Sequence, residues 1–172
     1  ASLGSQYQTF DFCGPHDRSK LQQRDDVLTF TTAPLAEDTE VTGPIRATIW
    51  ASSDAIDTDF TAALTDVEPD GKAIALCEGI VRARFRNGTD NPEMITPGDI
   101  YEFGIDMWNT SNMFKKGHSI RVEISSSNFP RYNRNLNTGN PIATDTEIRT
   151  ANQTLYHGVE NPSHLTLPII PR

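Results

Sequence analysis

The sequence predicts an all-β fold, a sandwich of two antiparallel sheets, and three observations predict it. No stretch sustains a helical period. Period-2 alternation of apolar and polar side chains recurs in about eight runs, each able to bury one face and wet the other. Turn-forming residues close each run at moderate spacing, the pattern of a two-layer antiparallel protein.

The first expected strand is short, Asp26 to Thr32, stopped by Ala33-Pro34. Glu40 to Ser52 follows, with Ile45, Ala47 and Ile49 on one face and Arg46, Thr48 and Trp50 on the other. Asp59 to Val67 is third and runs into Glu68-Pro69-Asp70-Gly71, which has the proline and glycine of a tight turn. Lys72 to Arg86 reads as one long strand with Val81, Ala83 and Phe85 opposite Arg82, Arg84 and Arg86. Asp99 to Trp108 gathers Tyr101, Phe103, Ile105 and Met107 on a core face. Ser119 to Ser126 sets Ile120, Val122 and Ile124 against Arg121, Glu123 and Ser125. Short runs near Thr154 to Tyr156 and Leu165 to Ile169 complete the set. The expected division is an arm or linker over residues 1–25 and a sandwich domain over 26–172. Residues 129–148 form a long patternless loop, of a kind that is usually functional or docked on something.

At 172 residues the chain suffices for one domain with a real core. Its formal charge of −8 argues against nucleic acid as a partner, because phosphate binding needs a basic surface. The local excess at Arg82, Arg84 and Arg86 is expected to pair with carboxylates on a neighbouring strand. No apolar run approaches the about 18 residues of a spanning helix, so no membrane partner is expected. Cys13 and Cys77 do not make a disulfide framework. The compartment stays open, with the cytoplasm slightly favoured over secretion.

Serine hydrolysis by this chain alone has little support. No Gly-x-Ser-x-Gly pentapeptide occurs, and His16, His118, His157 and His164 are scattered over an arm, a turn, a loop and a final strand. His118 reads as a residue capping a strand start. Asp54, Asp57 and Asp59 have part of a calcium spacing but lack the loop glycine and the terminal glutamate; bonds to backbone amides at a strand entry account for Asp57 and Asp59. No zinc pattern exists and no cofactor is expected. Phe60, flanked by Asp59 and Thr61, is expected in the core. Trp50, opposite Ile49, fits an interface or ordinary packing equally.

Six motifs stand in order: Arg24-Asp25-Asp26-Val27-Leu28, Val41-Thr42-Gly43-Pro44, Asp57-Thr58-Asp59-Phe60, Asp66-Val67-Glu68-Pro69-Asp70-Gly71, Gly117-His118, and Ser125 through Phe129-Pro130-Arg131 to Asn135. Together they resemble the C-terminal domain of the cocaine esterase and X-Pro dipeptidyl-peptidase family of serine hydrolases. The resemblance implies a jelly-roll β-sandwich of the galactose-binding-like class, with Asp57, Asp59, Phe60, His118, Phe129 and Arg131 in structural motifs. It further implies a non-catalytic domain that packs on and stabilises an upstream α/β-hydrolase domain and its helical cap. The triad would lie in that upstream domain, and the whole enzyme would cleave acyl ester or amide bonds. The family's arm after Ser2-Leu3-Gly4 reaches the acyl pocket, which would give Tyr7 or Phe10 a place in it; Ser5-Gln6-Tyr7-Gln8 is more polar than the family's pattern. The alternative is a free-standing carbohydrate-binding module using Trp50. Association into a homo-oligomer is open.

Overall fold

A computed structural model describes residues 14–141 and 143–171. Nine strands are formed among them: β1 (Leu28–Thr31), β2 (Thr39–Ser53), β3 (Asp59–Val67), β4 (Ala73–Arg82), β5 (Tyr101–Phe114), β6 (Ser119–Ser125), β7 (Gln153–Tyr156), β8 (His164–Thr166) and β9 (Ile169–Ile170). One sheet has the order β1-β6-β3-β4; the other has β2 at its centre, with β5 on one flank and β7, β8 and β9 in succession along the other. All pairings are antiparallel. The expected sandwich is what forms.

Alternation fills the space between the sheets. Ile45, Ala47, Ile49 and Ala51 of β2, Phe60, Ala62 and Leu64 of β3, and Phe103, Ile105 and Met107 of β5 are all buried. Phe60 meets Phe103 across the interior at 4.7 Å between ring centroids, an inter-sheet aromatic pair. The two sheets come so close at one side that a Cβ on Gly79 of β4 would lie 2.0 Å from the Asp106 carbonyl oxygen of β5. Only glycine fits there.

Three elements differ from expectation for physical reasons. The strand expected to reach Arg86 ends at Arg82, and Ala83–Phe85 is a 3-10 turn. The Asp57 carboxylate causes the turn by accepting both the Arg84 backbone N–H (3.0 Å) and its Nε (2.8 Å). β5 runs on to Phe114, past the expected end at Trp108, because a bulge shifts its register against β2. Pro44 opposes Asn109 while Arg46 opposes Asp106, so β5 carries one extra residue there. Leu165 to Ile169 divides into β8 and β9 around Leu167-Pro168.

Residues 14–25 run along the outer face of the first sheet. Asp17 bridges to Ile74, and Arg18 N–H donates to the Ala73 carbonyl at 2.8 Å. The cause is Glu123 on β6, which points outward and is yet only 2 % exposed. Its Oε1 accepts from Arg18 Nε at 2.8 Å and its Oε2 from Gln22 Nε2 at 2.9 Å. A buried carboxylate needs such donors, and residues 18–22 supply them.

Candidate functional site

The densest polar cluster sits where β3 begins. Asp57 and Asp59 are 0 % and 1 % exposed, a burial that charged groups tolerate only when paired. Asp59 takes the Arg82 guanidinium through two bonds, Nε at 2.7 Å and Nη2 at 2.9 Å, and this pairing raises the Arg82 pKa. Arg84 pairs with Asp57, and Arg86 with Glu93 at 2.7 Å. The expected arginine–carboxylate pairing is therefore present, though Arg84 and Arg86 reach their partners from a turn rather than from a strand face. Asn135 Nδ2 bridges the two aspartates, 2.9 Å from each. Arg82 Nη2 also donates to the Asn133 carbonyl at 3.3 Å.

This arrangement corrects the backbone-amide expectation. Asp57 accepts one backbone amide, whereas Asp59 is held by side chains. No group of three or more His, Cys, Asp or Glu among the described residues could hold a metal. Asp54, the third acid of the partial calcium spacing, instead accepts from Asn152 N at 2.9 Å and Nδ2 at 2.8 Å, and these bonds hold its pKa down. Chemically the cluster is a clasp. It ties the long loop to β3 through Asn135, and Arg149 N–H donates to Leu136 O at 3.0 Å to close the far side.

The other motif residues lie elsewhere. Phe60 points inward from the same strand at 3 % exposure. His118 Nδ1 is 2.8 Å from Asp66 Oδ1 at the opposite end of β3, beyond the Gly117 turn. Arg131 bonds Glu78, and Phe129 lies under the Arg134 guanidinium at 5.5 Å. Tyr7 and Phe10 lie outside the described residues.

No serine is poised to react among the described residues. Ser163, beside His157 and His164, is occupied: its Oγ accepts the Trp50 N–H at 2.8 Å and donates to the Tyr156 carbonyl. His164 Nδ1 faces the Pro162 carbonyl, and the His157 ring sits against Phe30. None of the hydrogen bonds among the described residues joins a serine to an imidazole. The Cys77 thiol is pushed up to about 11, chiefly by burial, which keeps it protonated and a poor nucleophile near neutral pH.

Two grooves among the described residues bear on how the domain could meet a partner. One is an apolar groove of about 380 Å³ between β1 with β6 and β7 with β8, lined by Phe30, Val122, Leu155 and Leu165 among others. The other, of about 470 Å³, runs along the β4–β5 side, with Trp108 at its rim. Trp108 is 65 % exposed, while Trp50 is half-buried. The surface tryptophan is thus Trp108, and the signal that could have found it is a strand alternation that breaks after Met107.

Residues 3–166 match the family described as X-Pro dipeptidyl-peptidase C-terminal non-catalytic domain. The cocaine esterase of Rhodococcus sp. (strain MB1 Bresler) is 53 % identical over 161 residues, which is 92 % of this chain and 28 % of that protein. Among solved structures, an aminopeptidase from a marine sediment Thaumarchaeota archaeon superposes with TM-score 0.86 at 31 % identity, over 90 % of this chain and 27 % of its own. An α-amino acid ester hydrolase also superposes with TM-score 0.86, at 30 % identity and over the same shares. The chain spans less than a third of the length of these relatives. With nearly its whole length matched and its reactive groups tied to one another, this chain belongs to the family of X-Pro dipeptidyl-peptidase C-terminal non-catalytic domains.

Proposed function

We propose that this domain packs on the α/β-hydrolase domain and helical cap of a serine hydrolase that cleaves acyl ester or amide bonds, and that it stabilises them. One observation carries the reading. The domain's buried polar side-chain atoms are all hydrogen-bonded among the described residues, while large apolar side chains stay open to solvent: Leu28, Phe30, Trp108, Ile169 and Ile170. Buried polar groups satisfied within the domain mark a finished interior, with none aimed unpaired at a ligand among the described residues. Apolar groups left in water are what a second domain would cover. The names of the relatives, an esterase, an aminopeptidase and an ester hydrolase, support the same bond class.

The test is a comparison of this chain with a longer one that includes the preceding region. The domain alone should release no nitrophenol from a nitrophenyl ester above buffer, whereas the longer chain should turn over. Within the longer chain the two parts should unfold together. Ester cleavage by the isolated domain that a serine substitution abolishes would reverse the assignment, and two independent melting transitions would remove the stabilising role.

A further inference from the structure

We infer that the groove along the β4–β5 side, with Trp108 at its rim, is the surface that receives the preceding hydrolase domain, which meets it with side chains packed on the indole and an acceptor for the indole N–H. This rests on the scaffold reading above and names the surface it would use.

Two bulges build the groove. In β5 the extra residue falls beside Trp108, whose backbone adopts φ 66° and donates its N–H to Asp106 Oδ1 at 2.8 Å. In β4, Leu64 opposes Cys77 while Thr65 opposes Ala75, so Leu76 is the extra residue. Leu76 and Trp108 both line the groove. Bulges re-aim side chains, and here one from each sheet aims at the same space. A bulky residue at positive φ is unfavourable, and glycine is the ordinary choice at such a position. Holding a tryptophan there and leaving its ring in water is doubly costly unless something covers it.

The polar rim discriminates between occupants. A sugar would need donors and acceptors turned outward. Here Ser111 Oγ is engaged by Thr42 at 3.1 Å, Asn112 Nδ2 by Asp66 at 3.4 Å, and Glu78 by Arg18 and Arg131. His16, Asn109 and Thr110 complete the lining beside Leu76, Ala63, Ala75 and the indole, a mixed polar and apolar wall of the kind that domains of one chain present to each other.

Continuity points to the hydrolase domain rather than to a separate molecule. Gly14, Pro15 and His16 form part of the groove wall, and the His16 carbonyl accepts the Ala75 N–H at 2.9 Å. Whatever precedes Gly14 in the chain is therefore tethered at the rim. A partner tethered in the same chain is present at a far higher effective concentration than a free one.

Hydroxyl-radical footprinting read residue by residue tests this. Between the isolated chain and the longer chain with its preceding region, Trp108 oxidation should fall at least about fivefold, while Val159, 99 % exposed, serves as the unchanged reference. Substitution sharpens the result: Trp108→Gly should leave the melting temperature of the isolated chain unchanged or raise it, and should lower that of the longer chain. Protection confined to Phe30 and Leu155, with Trp108 still reactive, would overturn this inference and leave the scaffold reading standing. No protection anywhere on the domain would sink both. Glycan binding by the isolated chain that Trp108→Ala abolishes would replace the protein partner with a carbohydrate.

Discussion

The sandwich has two long sides, and they are finished differently. Along the β4–β5 side the sheets approach until Gly79 touches the Asp106 backbone, and no further side chain fits between them. Along the β1–β7/β8 side they diverge, leaving the groove lined by Phe30, Leu155 and Leu165. The same core residues serve both sides. What differs is residue size at the seam and pairing at the edge: a glycine at one, an exposed four-residue edge strand at the other. Sheet separation is thus set locally by side-chain volume: the layers are seamed tightly on one side, where the Trp108 groove lies outside the seam, and parted on the other.

Substitutions can break or sharpen that contrast. The largest effect is expected in the interior common to both sides. Phe60→Ala removes the ring that meets Phe103 and should cost ~3–5 kcal/mol in denaturant unfolding. A loss below ~1 kcal/mol would mean that the interior collapses around the gap. At the shut side, Gly79→Val drives a side chain into the β5 backbone, and overpacking should cost ~1–3 kcal/mol or more. If Gly79→Val melts like the parent, the two sheets can part there and the contrast fails. At the open side, Leu155→Ala deletes a half-buried side chain and should cost only about 1 kcal/mol, with more hydrophobic-dye binding. A penalty as large as that of Phe60→Ala would show the groove to be closed in solution.

The smallest effect concerns pH. Asp54 and Asp145 have pKa values held below the usual carboxylate range, by Asn152 and Thr138 respectively. A depressed carboxylate stabilises the fold above its unfolded pKa of about 4, and that contribution is lost as pH falls through the lower folded value. Acidification below about pH 4 should therefore loosen residues 145–152 before the sheets, as faster amide exchange there. Exchange that stays uniform across the domain would contradict it.

Much of this fold was legible in the sequence, and the failures have causes. β3 was read to the residue because Phe60, Ala62 and Leu64 alternate without interruption and Pro69 and Gly71 close the run. Arg84 and Arg86 were expected on a strand because Val81, Ala83 and Phe85 keep the period. A long-range bond from Asp57 ends the strand, and alternation carries no trace of it. The end of β5 was missed for the opposite reason: a bulge breaks the period although pairing continues to Phe114. The Asp57–Asp59–Asn135 clasp joins two sequence motifs that lie 76 residues apart from Asp59 to Asn135. Only tertiary structure brings them together. Trp50 stands opposite Ile49, which leaves interface and ordinary packing equally open from sequence, and the loop carrying Ser163 against it decides for packing.

The divided flank of β2 has a consequence of its own. Three separate short segments zip onto one fifteen-residue strand: Gln153–Tyr156 at one end, His164–Thr166 in the middle, and Ile169–Ile170 at the other. Each holds by only two to four residues, so fraying can proceed stepwise from the carboxyl end while the seam with β5 stays fastened. Trimming the chain behind Thr166 would bare Glu40 and Val41 first, and stickiness between molecules should appear there before cooperative melting does.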